Sequence, residues 1–360
     1  MDREEGHQPK MRPDRFAAQA GGASAADAAG DLPAPDRADR VDCAVVIVTY
    51  NSARDIAGLL DSLPAAAAGL TLRTIVVDNG SADATIDLVR RRTNVRCIEA
   101  GANLGYAGGI NIGRRHAGRY SALLVLNPDL VLEPGAIRAM AAVLGDPAVG
   151  IVAPMLVGAD GGRYPSLRRR PTVSRAIGDG LLGRRLPGRP GWLSEIVRDE
   201  ESYRRQHPVD WAGGAALLIS GACDDAVGPW DDGYFLYSEE TDYATRAAAA
   251  GFRVEYVPAA RATHRGGGSG QSDELIALMA VSRLRYVTKH RRWLWPYRTA
   301  QIISELVRSG HPGHRAALKA VLRRSTWPEL ALRLQNPPSA PGGRLAQPAD
   351  RQPPRFPLAR

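Results

Sequence analysis

The sequence predicts an α/β protein built on a mainly parallel, Rossmann-like sheet with helices on both faces. Short apolar runs, VVIVT at 45–49, TIVVD at 74–78 and ALLVLN at 122–127, alternate with longer stretches of helical spacing. Near-continuous Val/Ile/Leu runs of this length mark strands buried on both faces. Polar turn formers gather where those runs end: Thr49, Tyr50 and Asn51, then Asp78, Asn79, Gly80 and Ser81, then Asn127, Pro128 and Asp129. Right-handed crossovers put all such strand ends along one edge of the sheet, where α/β proteins carry their ligands.

Taken in order from Val41, the pattern gives a strand at 45–49, a helix near 53–63, a strand at 74–78, a helix near 83–92 and a short strand at 95–98. A Gly-rich turn then leads into a helix through 118, followed by the strand at 122–127. In the second half, VDWAGGAALLIS (209–220) reads as a substrate-facing segment running into a buried strand. A loop, a helix over 239–250 stopped by Gly251, and a strand with its following loop come next. Residues 1–40 and 336–360 are poor in large apolar side chains and cannot repay ordering by burial, so both are expected to be disordered tails.

A chain of 360 residues with 44% hydrophobic content can bury a sizeable core, and its formal charge of +9 implies polyanionic company. Nucleic acid, anionic lipid and phosphorylated substrates all satisfy that charge, but no zinc spacing or RNA-binding signature supports nucleic acid. Cys43, Cys97 and Cys223 lie far apart without C-x-x-C spacing, which argues against a disulfide framework or a thiolate metal site and for a reducing compartment. No apolar run approaches the roughly 18 to 20 residues of a spanning helix, and the first forty residues lack a secretory stretch. The expected location is cytoplasmic, at most peripheral on the inner face of the membrane.

Several residues at the strand ends have both a plain and a chemical reading. Asp78 in VVDNGS either organises a turn or accepts hydrogen bonds from a base or ribose. A dinucleotide-binding dehydrogenase needs G-x-G-x-x-G after the first strand, where this chain has TYNSARD. The turn NLGYAGGINIG (103–113) either packs tightly or brings backbone N–H groups and a helix N-terminus to a diphosphate. Pro128 ends its strand and leaves Asp129 at the edge as a hard oxygen ligand suited to Mg²⁺ or Mn²⁺. Trp211 is either core or substrate-facing, and His264 is either structural or a metal ligand.

The segment FLYSEETDYATR (235–246) is the sharpest. Ser238 is a good N-cap, and acids in a first helical turn suit the macrodipole. Burial of the aromatic neighbours, however, would draw the acids toward a cleft and raise a carboxylate's pKa, as a general base requires.

Together, TYN, VVDNGS, NLGYAGG-x-N, LNPD, W-x-x-GAALL, FLYSEETD-x-x-x-R and PAA-x-x-x-H resemble family 2 glycosyltransferases, and within them the bacterial rhamnosyltransferase-like branch, which YPSLRRRP (164–171) also resembles. The resemblance spans about 41–270 and implies a GT-A fold, a nucleotide-diphosphate sugar donor, a divalent cation, Mg²⁺ or Mn²⁺, and inverting single displacement. It implies Glu240 as the catalytic base, with donor binding by Thr49, Tyr50, Asn51, Asp78, Asn79, Gly80, Asn103, Gly105, Gly108, Gly109, Asn111 and Asn127. It also implies acceptor binding by Trp211, Gly214, Glu239 and Asp242, and metal binding by Asp129 and His264. Asn127 stands where the family's D-x-D motif has its first acid, and Glu240 where relatives commonly carry Asp. The implied acceptor is a polysaccharide or a polyprenyl-diphosphate-linked glycan of the cell envelope. A catalytically degenerate protein that only binds sugar nucleotide is the alternative.

Residues 271–335 read as a basic helical extension. Between 283 and 333 there are twelve Lys or Arg against two acids, with Trp293, Trp295 and Tyr297 beside Arg291 and Arg292. Basic residues interleaved with aromatics suit an anionic membrane surface; a solvated basic face is the plainer account.

Overall fold

A computed structural model of the chain describes residues 40–183, 186, 188–266, 272–290, 294–323, 327 and 330. The predicted tails therefore lie outside the described residues except for Arg40, as do Arg291, Arg292 and Trp293 of the basic extension.

The first half alternates as its sequence requires: β1 (Val41–Thr49), α1 (Ile56–Ala67), β2 (Leu72–Asp78), α2 (Thr85–Arg90), β3 (Val95–Glu99), α3 (Gly105–Arg115) and β4 (Tyr120–Leu126). The strands β3, β2, β1 and β4 lie side by side and pair parallel, with Thr49 level with Asp78 and Ile47 level with Leu126. After β4 the chain forms β5 (Leu130–Leu132), α4 (Ala136–Val143), β6 (Val149–Gly158), β7 (Leu167–Arg168), α5 (Val173–Ile177) and a π turn over Gly178–Leu182. Then follow α6 (Glu201–Arg204), β8 (His207–Val209), β9 (Trp211–Ala212), β10 (Ala216–Ser220), α7 (Gly221–Val227), α8 (Glu239–Ala249) and β11 (Arg253–His264).

The finished sheet is mixed. β10 inserts antiparallel between β4 and β6, β11 runs parallel to β6, and β5 and β8 pair antiparallel with β11. Two of these pairings build the site. Ala216 lies opposite Leu126, which brings Ala215 beside Asn127 and Gly214 to the same rim, and His264 lies opposite Leu130, which brings it beside Asp129.

Side chains of β1 alternate between two cores, because successive Cβ atoms point to opposite faces of a strand. Val45 and Ile47 pack with Ile56, Leu59, Ile137 and Met140 of α1 and α4. Ala44, Val46 and Val48 pack with Ile110 of α3 and Tyr243 of α8. The α3 side is close because a Cβ on Gly109 or Gly113 would come within 2.6 Å of Val48 or 2.5 Å of Val46.

The basic extension comprises α9 (Asp273–Lys289), α10 (Leu294–Val307) and α11 (Pro312–Leu322), which share a core of Leu284, Tyr286, Tyr297 and Val321 with Tyr234. Tyr297, which the sequence groups with an aromatic surface patch, is 3% exposed, whereas Trp295 is 71% exposed. Its position on the inner side of α10 explains the difference.

Candidate active site

The ends of β1 and β2 are knitted together by the chain itself. Thr49 Oγ1 and Ser81 Oγ donate to Asp78 Oδ1 at 2.8 and 2.6 Å, and the N–H groups of Gly80 and Ser81 donate to Oδ2 at 3.1 and 2.7 Å. A carboxylate offers about four acceptor sites, so Asp78 is saturated and organises the turn. Thr49 is spent on the same contact. Asn51 adopts φ 51°, donates its N–H to Ser81 Oγ at 2.8 Å and accepts the Ala82 N–H at 2.8 Å. Gly80 supplies the positive φ of 80° that the turn needs. Of this donor set, Tyr50 stays open at 40% exposure, and Asn79 keeps a buried Oδ1 without a partner while its Nδ2 donates to Gly105 O at 2.9 Å.

The glycine-rich turn is a packing device rather than an open cradle. Helix α3 starts at Gly105, with φ 73°, and a Cβ there would sit 2.0 Å from the carbonyl oxygen of Phe235. The Gly105 N–H donates to Asn103 Oδ1 at 3.0 Å, and the Tyr106 N–H to Phe235 O at 2.9 Å. Two donors of the helix N-terminus that the sequence offers to a diphosphate are thus taken internally. Gly108 and Gly109 lie inside α3, where a Cβ would meet Leu104 at 2.9 Å and Val48 at 2.6 Å. Asn111 exchanges two 2.9 Å hydrogen bonds with the backbone of Trp230. These contacts correct the donor-binding reading of Gly108, Gly109 and Asn111: each shapes the scaffold, because the helix opens earlier than the glycine spacing suggests.

Asp129 and His264 meet, with His264 Nε2 3.3 Å from Asp129 Oδ2 and both side chains 9% exposed. Asp129 Oδ1 and His264 Nδ1 are buried without partners. Burial works to raise the Asp129 pKa, but the hydrogen bond from His264 outweighs it and holds the carboxyl below its usual range. The Tyr164 ring meets His264 edge-on at 5.0 Å, and Arg265 pairs with Asp55 alongside. Among the described residues no group of three His, Cys, Asp or Glu side chains could enclose a cation. The unpartnered Asp129 oxygen is a hard ligand that fits an ion taking most of its other ligands from phosphate oxygens and water, and the His264 Nε2 beside the same carboxylate is the nitrogen placed to join it. The Asn127 N–H is fixed to Ala215 O at 2.8 Å at the same rim.

Glu240 opens α8 next to this edge. Its Oε2 is buried without a partner, and its Cδ lies 3.8 Å from where a Gly214 Cβ would stand. A Cβ at Gly214 would stand in ordinary van der Waals contact with Glu240 and Tyr106, so the two elements are packed directly against each other. Desolvation raises the Glu240 pKa, and the main chain of α8 and Gly214 and the charge of Arg168 partly offset it. Glu239, 3% exposed with Oε2 also unpartnered, is raised well above the carboxylate range by burial and then by its neighbour Glu240. Tyr106, which the sequence reading passed over among its glycines, donates to Gly214 O at 2.9 Å. Its phenol is pushed well up by burial and then by Glu239, Glu240 and Asp129, so all three acids lie within electrostatic reach of one ring.

Two further site assignments change. The sequence reading takes Ser238 as the helix cap, but it adopts φ 67° and makes no side-chain cap, as does Tyr237 before it at φ 71°. Consecutive left-handed non-Gly residues store backbone strain directly before the acids. Asp242, expected to bind acceptor, is fully buried and held by Arg246 at 2.8 Å, Lys289 at 2.7 Å and His290 at 2.9 Å. Desolvation opposes ionisation, but the hydrogen bonds from His290, Lys289 and Arg246 and the Arg246 charge prevail and bring its pKa down to about 2. It ties α8 to α9 and, with its carboxylate fully buried, presents no surface to substrate. Trp211 is core, 8% exposed, with its indole N–H donating to Arg169 O at 3.0 Å.

Residues 44–198 match the family model for glycosyl transferase family 2. An N-acetylglucosaminyl-diphospho-decaprenol L-rhamnosyltransferase of Mycobacterium tuberculosis is 32% identical over 264 residues, covering 69% of this chain and 85% of the relative. The chain belongs to glycosyltransferase family 2. A second relative of this glycosyltransferase, the low-salt glycan biosynthesis hexosyltransferase Agl10 of Haloferax volcanii, is 27% identical and covers 62% of this chain and 67% of its own. The glycosyltransferase also shares its fold with GalNAc-T7, whose crystal structure contains UDP, GalNAc and Mn²⁺, at a TM-score of 0.52 and 14% identity, covering 82% of this chain and 57% of the other. The fold of the glycosyltransferase is GT-A.

Proposed function

We propose that this glycosyltransferase moves L-rhamnose from a nucleotide-diphosphate donor to a hydroxyl of a polyprenyl-diphosphate-linked glycan, inverting the anomeric centre in one displacement. The observation that carries this reading is the free, buried carboxylate oxygen of Glu240 against Gly214, sharing the surroundings of Tyr106 with Asp129. Support for the sugar and the acceptor comes from the mycobacterial relative, whose name specifies both.

Glu240 takes the proton of the acceptor hydroxyl as that oxygen attacks the anomeric carbon, and the bond to the diphosphate breaks with its electron pair leaving on the diphosphate. Burial makes the carboxylate a stronger base than an exposed one. Two adjacent carboxylates cannot both ionise in a desolvated site. Glu239, the more strongly raised of the two, keeps its proton, and the single charge rests on Glu240, which Arg168 and the Gly214 main chain favour. Asp129 and His264 would hold Mg²⁺ or Mn²⁺, which when bound neutralises charge developing on the leaving diphosphate. Tyr50 and the unpartnered Asn79 oxygen are the donor contacts that the knitted β1–β2 edge leaves available.

The test incubates the purified chain with dTDP-L-rhamnose and N-acetylglucosaminyl-diphospho-polyprenol and follows the lipid product by mass spectrometry and the new linkage by NMR. A product heavier by one deoxyhexose with inverted configuration is expected. Retention of configuration would overturn the single displacement, and preference for another sugar nucleotide would overturn rhamnose while leaving glycosyl transfer intact.

A further inference from the structure

Beyond the reacting groups, α5, the following π turn and α10 present an apolar face that no other described residue covers. An open groove of about 510 Å³ runs between Val173, Ile177 and Leu181 on one side and Trp295 and Ile303 on the other. Trp295 is 71% exposed, Leu306 and Val307 58% each, and Ile303 45%. Trp295, Ile303, Leu306 and Val307 fall on one side of α10 by helical spacing, whereas Tyr297 faces the core of the extension. A contiguous exposed apolar face of this kind marks an interaction surface.

Charge and position choose the partner. Among the described residues 294–323, Arg298, Arg308, Arg315, Lys319 and Arg323 stand against one acid, Glu305, and that acid is buried against Arg308 and His314. Arg298 lies over the Trp295 ring, 6.0 Å from its centroid, so a cation sits directly beside the most exposed apolar side chain. Trp and aliphatic side chains on one face, with Arg298 beside them on a strongly basic helical extension, match the boundary between lipid headgroups and acyl chains. The described helices include none long and apolar enough to cross a membrane, so contact at the surface is the mode this face permits. The face also begins five residues beyond Arg168, whose charge reaches Glu240.

We infer that the α5–α10 face docks on an anionic bilayer, with Trp295 and Ile303 entering the headgroup boundary. This inference rests on the proposed lipid-linked acceptor, because docking there would hold the reacting groups at the surface where such an acceptor's diphosphate emerges.

The experiment sediments the full chain with phosphatidylcholine vesicles with and without phosphatidylglycerol, using wild type, Trp295→Glu and Ile303→Glu. Wild type should bind the anionic vesicles preferentially and weaken as salt rises, and each variant should lose at least about tenfold in partitioning, since burying one such side chain is worth more than a factor of ten. Both sites are exposed, and unchanged melting curves would verify folding. In parallel, turnover of a short-chain, water-soluble acceptor should be the same in all three proteins, while turnover of a vesicle-embedded acceptor falls with binding. Wild-type vesicle binding by both variants, equal binding to neutral vesicles, or a dimer in gel filtration that the variants dissolve would each overturn the inference. Loss of soluble-acceptor turnover in wild type would instead sink the reading of function and leave the docking result standing.

Discussion

Gly105→Ala tests how the glycine-rich turn holds the segment that carries Glu240. Alanine at φ 73° costs about 1–2 kcal/mol in backbone strain alone. Its Cβ would also stand 2.0 Å from Phe235 O, so one of the two chains must move, and the Tyr106 N–H to Phe235 O bond at 2.9 Å is the first to break. That bond adds about 0.5–1.5 kcal/mol, for a total of roughly 1.5–3.5 kcal/mol. Gly101→Ala is the control, because Gly101 has φ 75° and nothing within 4 Å of a Cβ, leaving only the strain. Urea denaturation should therefore show a lower midpoint for Gly105→Ala than for Gly101→Ala at an unchanged slope. Since Phe235 lies five residues before Glu240, turnover should fall in Gly105→Ala and hold in Gly101→Ala. Equal midpoints and equal turnover in the two variants would refute the contact.

The acidic pair gives a second test: Glu240→Gln should lower kcat by about 10²- to 10⁴-fold with donor affinity kept, while Glu239→Gln, replacing a neutral acid by a neutral amide, should keep most of it. Because the Glu240 pKa is raised, wild-type kcat should climb with pH through a value above the ordinary glutamate range; a profile flat to pH 4, or similar losses in the two variants, would reverse the roles. Asp242 has a depressed pKa of about 2 against 3.8, so its contribution is present above the ordinary value and is lost as pH falls through about 2. That contribution is roughly 2–3 kcal/mol, and the stability gap between wild type and Asp242→Asn should shrink from pH 6 to pH 2; a constant gap would show that Arg246, Lys289 and His290 do not hold it. Asp129→Ala should abolish any extra thermal stabilisation that Mn²⁺ gives in the presence of nucleoside diphosphate, read by calorimetry, and an unchanged Mn²⁺ response would place the ion elsewhere.

The sequence by itself determined the parallel half of the sheet, since Val/Ile/Leu runs such as VVIVT alternate with helical stretches, and that alternation buries both faces of each strand under helices. It also marked Asp129, His264 and Glu240, whose residue types and order survive any placement of the intervening chain. Tertiary structure decided how β10 enters the sheet. Ala216 opposite Leu126 is a pairing across ninety residues, and no local pattern encodes strand direction over that distance. It also decided which polar residues remain free. Asp78 and Asn111 look like ligands in sequence, yet Thr49, Gly80 and Ser81 fill the acceptor sites of Asp78 and the Trp230 backbone engages both ends of the Asn111 amide, because hydrogen-bond capacity is finite and is allotted only when distant groups meet. Asp242 and Glu240 share one helical turn and similar chemistry in the sequence. What separates them is that Lys289 and His290 arrive against the first from α9, while the second faces Gly214, which has no side chain to offer it.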